Sequence, residues 1–105
     1  MMSVLVVYAG APGTRFDLDY YTSRHLPLVR RLLAPVGMRS LTYVNDSAAG
    51  AAGAPPLFRL VAELRFDDMD ATNRALGAHG PETQADIPNF TDVTPIILIG
   101  ELKSA

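Results

Sequence analysis

The segment Phe58 to Phe66 (FRLVAELRF) alternates without a break: Phe58, Leu60, Ala62, Leu64 and Phe66 fall on one side of an extended chain, Arg59, Val61, Glu63 and Arg65 on the other. A period of two is the period of a strand, so one face of this strand is apolar and the other mixed and charged. A strand divided in this way belongs in an antiparallel sheet that is covered on one side only. The rest of the chain has to supply the cover.

Met2 to Ala9 (MSVLVVYA) is rich in β-branched residues and apolar on both faces, which suits a central strand. Gly10 to Thr14 (GAPGT) is a turn-forming loop. Asp17 precedes an apolar-periodic run and can accept from the free N–H groups of a first helical turn, and Asp19 adds negative charge at the positive end of the helix dipole. Leu18, Tyr21, His25, Leu28 and Leu32 recur at three- and four-residue steps, with Val29 and Leu33 widening the stripe, so His25 points to the covered side. Arg24, Arg30, Arg31 and Thr22 lie on the solvated faces. Pro27 interrupts this pattern. Either it kinks the helix beside His25, leaving the Ser23 carbonyl without its usual partner, or it opens a second helical segment, Leu28 to Leu33, where proline in the first turn is harmless.

After Pro35 and Gly37, Arg39 to Asn45 (RSLTYVN) regains strand character. Asp46 to Pro56 (DSAAGAAGAPP) reads as a long exposed connection to the strand Phe58 to Phe66. Asp67 or Asp68 can cap a second helix running to about Ala78, with Met69, Thr72, Ala75 and Leu76 inside. His79 to Pro88 carries weak order signals and room for a short helical turn, and Thr91 to Leu102 reads as a last strand in which Pro95 favours an edge or a bulge.

The element order β-α-β-β-α-β predicts an α+β, ferredoxin-like fold: a four-stranded antiparallel sheet with two helices on one face, residues 1–105 forming a single domain. The other face stays bare, and a core this small gains from a second subunit, so a homodimer is expected. The chain has no cysteine, which excludes disulfides and thiolate chemistry, and its net charge of −2 with scattered arginines argues against a nucleic-acid partner. Ser3 to Ala9 is too short for a membrane span and has no basic leader, so no membrane association and a cytoplasmic location are expected.

The segment FDLDYYTSRHLPL, placed after a first strand and a glycine-proline loop, and the later segment IPNFTDVTPII resemble the EthD family, named for ethyl tert-butyl ether degradation. In motif order the resemblance covers nearly the whole chain. It implies a dimeric α+β barrel, in which two ferredoxin-like subunits pack sheet against sheet and each keeps a cavity between its own sheet and helices. Similar barrels include cofactor-independent monooxygenases of polycyclic aromatics, polyketide cyclases and muconolactone isomerase. The motif transfers to His25 and, more loosely, to Asp17, Tyr20, Tyr21 and Pro27.

His25 is the leading candidate for chemistry, because imidazole titrates near neutrality and can serve as general acid or base; its alternative is a core histidine bonded to a backbone carbonyl. Tyr21 lies one turn earlier on the same face, and Tyr8 and Tyr43 end or lie in strands that can line a cavity rim. His79 falls in the loop-like Gly-Ala-His-Gly-Pro run. Asp86 and Asp92 flank Pro88-Asn89-Phe90 and can fix a histidine tautomer or cap turns. The expected site is thus His25 as the catalytic group, with Tyr8, Tyr21, Tyr43, His79 and Asp86 toward substrate. No close-spaced ligand pair argues for a metal, and GAPG lacks the spacing and the lysine of a phosphate loop, so no cofactor is expected.

Three functions fit. The first is a homodimeric enzyme acting on a small apolar, aromatic or polyketide-like compound by cofactor-independent proton transfer. The second is a non-catalytic protein that binds a metabolite for a partner oxygenase. The third is a chiefly structural dimer whose interior is filled by Phe58, Leu60, Leu64, Phe66 and Tyr21, and cavity volume separates it from the others.

Overall fold

Four strands, β1 (Met2–Ala9), β2 (Ser40–Ala48), β3 (Pro56–Phe66) and β4 (Ile96–Glu101), form one antiparallel sheet in the order β2-β3-β1-β4. The structure, a computed structural model, describes residues 1–10, 13–48, 50, 53 and 56–105. Its helices are the single turn α1 (Leu18–Tyr20), α2 (Leu26–Leu33) and α3 (Met69–Ala85). β1 and β3 take the centre, as the two-faced apolar run in β1 requires. Their register sets Val4 opposite Leu64, Val6 opposite Ala62 and Tyr8 opposite Leu60, so the apolar side chains of both strands meet on the helix-covered face. This is an α+β, ferredoxin-like arrangement.

The core falls into two clusters. Val4, Val29, Leu33, Leu64, Phe66 and Ala75 pack where α2 and α3 cross the sheet, while Tyr8, Tyr21, Leu60, Ala62 and Phe90 pack toward the end of β1. On the opposite face of the sheet, Leu5, Val61 and Leu98 stand beside Ser3, Glu63 and Arg65, and no described element covers them. None of the helices is long and apolar enough to cross a membrane.

Three expectations of extent need correction, and one pair of alternatives is resolved. α3 does not stop near Ala78 but runs to Ala85 through Gly77, Gly80 and Pro81. The carbonyl that Pro81 leaves without a helical donor belongs to Gly77, which is exposed and open to water, and the buried Gly80 lets the helix lie against the interior, so packing overrides weak propensity. Of the two caps expected, Asp67 or Asp68, the helix uses Asp68, which accepts from the Ala71 N–H at 2.8 Å. The connection read as Asp46 to Pro56 is shorter, since β2 continues to Ala48 and β3 begins at Pro56; residues 49, 51, 52, 54 and 55 lie outside the described residues, as do 11 and 12 of the first loop. The last strand begins at Ile96, leaving Pro95 just before it, and β4 takes the sheet edge that a proline there favours.

Candidate active site

The site begins where the first helix departs from α-geometry. Asp17, in an extended conformation, accepts from the Tyr20 N–H at 3.0 Å and opens α1. From Tyr21 to His25 the chain then makes a π-turn, in which the Leu26 N–H bonds the Tyr21 carbonyl five residues back. Pro27 explains it. In a continuous α-helix the Pro27 ring would press on the Ser23 carbonyl, whereas the wider turn gives it room and places Pro27 in the first turn of α2, where no N–H is needed. The hydroxyls of Thr22 and Ser23 donate back to the carbonyls of Leu18 (3.0 Å) and Asp19 (2.6 Å), one turn earlier. Of the two sequence alternatives, the second is therefore closer, with the new segment starting at Leu26 rather than Leu28. The π-turn also rotates the stripe downstream of it: Tyr21, His25, Val29 and Leu33 are buried, while Leu28 and Leu32 are only half-buried.

A second stretch, distant in sequence, closes on this turn. The Asp17 N–H donates to the Phe90 carbonyl at 2.7 Å and the Thr91 hydroxyl to the Arg15 carbonyl at 2.7 Å, which locks the helix entry to the short 3₁₀ turn Ile87–Asn89. Phe90 is thereby seated fully buried against Tyr8, Phe16, Tyr21 and His25, its ring centroid 4.6 Å from that of His25. Asp86, just before the turn, then reaches His25: its Oδ2 lies 2.9 Å from Nδ1, while Oδ1 accepts from the Tyr20 hydroxyl at 2.7 Å and from the Asn89 amide at 2.9 Å.

Burial alone would raise the Asp86 carboxyl, but the hydrogen bonds from Tyr20, Asn89 and His25 together outweigh it and hold the group below the usual carboxylate range. Asp86 is thus ionised and can only accept, so the His25 proton is assigned to Nδ1. Burial pushes the imidazole below its ordinary value of 6.5, and the hydrogen bond and charge of Asp86 offset only part of that, so the ring is neutral at pH 7. A neutral ring protonated at Nδ1 carries its lone pair on Nε2. The pair is a neutral imidazole donating to a carboxylate rather than two opposite charges.

Beside this pair lies a cavity of about 200 Å³, between the sheet, α2 and α3. Its wall is largely aliphatic, with Val4, Val6, Val29, Leu64 and Leu76 contributing from three elements. The polar side chains of the lining are His25, Tyr8, Tyr21, Thr83 and Gln84. The residues Tyr8 and Tyr21 are each 1% exposed, and burial pushes both phenols up. Both remain protonated donors at neutral pH. The interior is accordingly not filled, and the packed alternative is set aside.

The structure brings His25, Tyr8 and Tyr21 together at the wall and places the other expected residues elsewhere. Tyr43 touches the Tyr21 ring edge-on at 5.7 Å but is itself 39% exposed and outside the wall. Asp86 stands behind His25 rather than in the cavity, the tautomer-fixing arrangement that the sequence left as one of two options. His79 is not on a loop; it sits in α3 beside Glu82 at 3.3 Å and does not reach the cavity wall, because the helix continues through it. Asp92 pairs with Arg15 at the surface. Sequence reasoning missed Asn89 and Phe90; the three-residue step from Asp86 to Asn89 across a proline was the available signal for Asn89. Among the described residues, no group of three His, Asp or Glu side chains converges as metal ligands.

The fold and the site define a ferredoxin-like α+β domain with a histidine–carboxylate pair set beside a small apolar cavity. Residues 15–94 match the EthD domain, and the chain belongs to the EthD family. The crystal structure of an EthD-like protein from Ralstonia eutropha is 35% identical and superposes with a TM-score of 0.83, over 95% of this chain and 89% of that one. An EthD family protein from Bacillus halodurans is 21% identical with a TM-score of 0.74, over 98% and 99% of the two chains. SnoaB, a cofactor-independent oxygenase from Streptomyces nogalater, shares the fold at 16% identity and a TM-score of 0.58, over 99% and 92%. Comparison with curated proteins finds no match.

Proposed function

We propose that the chain acts, as a homodimer, on a small apolar aromatic or polyketide-like compound by cofactor-independent proton transfer, with His25 as the general base. The observation that carries this reading is the His25–Asp86 pair: Nδ1 is engaged at 2.9 Å by a carboxylate outside the cavity wall, so the ring edge left to the cavity is the one bearing the Nε2 lone pair. His25 takes a proton from a carbon next to a carbonyl, and the electron pair of the broken C–H bond moves onto the carbonyl oxygen as an enolate. The Tyr8 and Tyr21 hydroxyls stabilise that oxygen. Reprotonation at another carbon isomerises the compound, attack on an internal carbonyl cyclises it, and reaction with O₂ oxygenates it; proton abstraction is common to all three. The Streptomyces protein carries out oxygenation without a cofactor on the same fold.

The homodimer is supported by the uncovered sheet face, where Val44, Ile96 and Leu98 are 60%, 55% and 52% exposed on a domain of only 105 residues. The alternative function, a non-catalytic ligand carrier for a partner oxygenase, needs the cavity but gives the Asp86–His25 pair no task. Deuterium exchange at the benzylic carbon of phenylacetone, followed by NMR in D₂O, tests the choice. Acceleration by the parent protein and its loss in His25→Gln are expected. Equal exchange in a folded His25→Gln variant overturns the base assignment.

A further inference from the structure

The cavity wall has a composition that restricts what it can hold. Among the described residues that line it there is no Arg, Lys, Asp or Glu, and its polar side chains are all uncharged: Tyr8, Tyr21, Thr83 and Gln84 beside the neutral His25. A carboxylate or phosphate entering this space would lose its hydration with no cation to replace it, and an unpaired buried ion is strongly disfavoured. It would also meet the negative Asp86 carboxylate one residue behind the imidazole. A neutral oxygen meets the opposite situation, because it gives up little hydration and can accept from the hydroxyls of Tyr8 and Tyr21, which line the cavity and are only 1% exposed. The volume adds a second limit. About 200 Å³ is somewhat more than the roughly 150 Å³ that accommodates benzene, so one ring and a few further atoms fill the enclosed part.

We propose that the cavity selects an uncharged compound, a single ring bearing a carbonyl oxygen that the Tyr8 and Tyr21 hydroxyls receive, and that it rejects the carboxylate analogue of the same shape. This deepens the proton-transfer reading and rests on the cavity being the substrate site, but it concerns binding and not turnover. It excludes acids such as carboxylated lactones and aryl-acetates as ligands of the enclosed part, and it leaves neutral ketones, quinones and the keto forms of phenols.

The test uses phenylacetone and phenylacetate, which differ only by a methyl group in place of a carboxylate oxygen, titrated into the intact protein at pH 7.5 by calorimetry. Saturable binding of phenylacetone is expected, with phenylacetate about a hundredfold weaker or undetectable. Tyr8→Phe and Tyr21→Phe, which keep the rings and the packing, are expected to weaken phenylacetone by about fivefold or more each. Comparable affinity for the two compounds, absence of phenylacetone binding, or parent-like affinity in both Phe variants overturns the proposal. The outcomes separate from those of the preceding test: phenylacetone bound selectively but exchanged equally by His25→Gln leaves this inference standing and removes the base, and His25-dependent exchange with no preference for the ketone does the reverse.

Discussion

Acid is expected to destabilise this protein from a pH set by one buried ring. His25 titrates below 6.5 in the folded chain because burial disfavours its charged form, whereas in the unfolded chain it takes a proton at about 6.5. As pH falls from 6.5 toward the lower folded value, the unfolded state binds one proton more than the folded state, and stability declines by up to about 1.4 kcal/mol per pH unit. With an unfolding entropy of roughly 2 cal/mol/K per residue, 105 residues convert this into about 6 °C of Tm per pH unit. Carboxylates act only lower down. Glu63, held low by the Ser3 hydroxyl, and Asp86, held low by its three donors despite burial, contribute stability above their unfolded values of 4.5 and 3.8 and lose it below them. The window between about pH 6.5 and 5 therefore isolates the imidazole. Thermal melts by circular dichroism across pH 5 to 8 measure the slope, and His25→Gln should flatten it. Asp86→Asn removes the charge that holds the imidazole up, so its slope should persist to lower pH than in the parent. A His25→Gln variant that keeps the parent slope from pH 6.5 downward refutes the argument.

Phe90→Ala empties a fully buried aromatic site against Tyr8, Phe16, Tyr21 and His25 and should cost about 3–5 kcal/mol in urea unfolding, with the spread set by how far the four rings collapse. Leu98→Glu places a charge on the edge strand of the uncovered sheet face, opposite Leu5, and should leave the chain folded but monomeric by light scattering if the proposed homodimer uses that face; a dimer of parent affinity contradicts that use.

Much of the fold was legible because it is written in local periods. The alternation from Phe58 to Phe66 fixes which side of β3 meets the helices whatever the neighbours are, since successive side chains of a strand point to opposite faces. The two helix starts were readable for a similar reason: Asp17 and Asp68 each cap within three residues of themselves. His25 could be placed on a covered face, but the line of burial beyond it could not, because the π-turn forced by Pro27 is a non-standard period that a search for three- and four-residue steps does not contain.

The sequence alone determined a one-sided sheet, its two covering helices, and a histidine turned inward between them, all from interactions spanning a few residues. The tertiary structure decided the pairing of His25 with Asp86, separated by 61 positions, and the helical course of α3 through Gly77, Gly80 and Pro81. It also decided that a hollow remains beside the ring. Each depends on where distant segments come to rest, through the Asp17–Phe90 and Arg15–Thr91 bonds above all, and no local period encodes how far a loop carries the chain back.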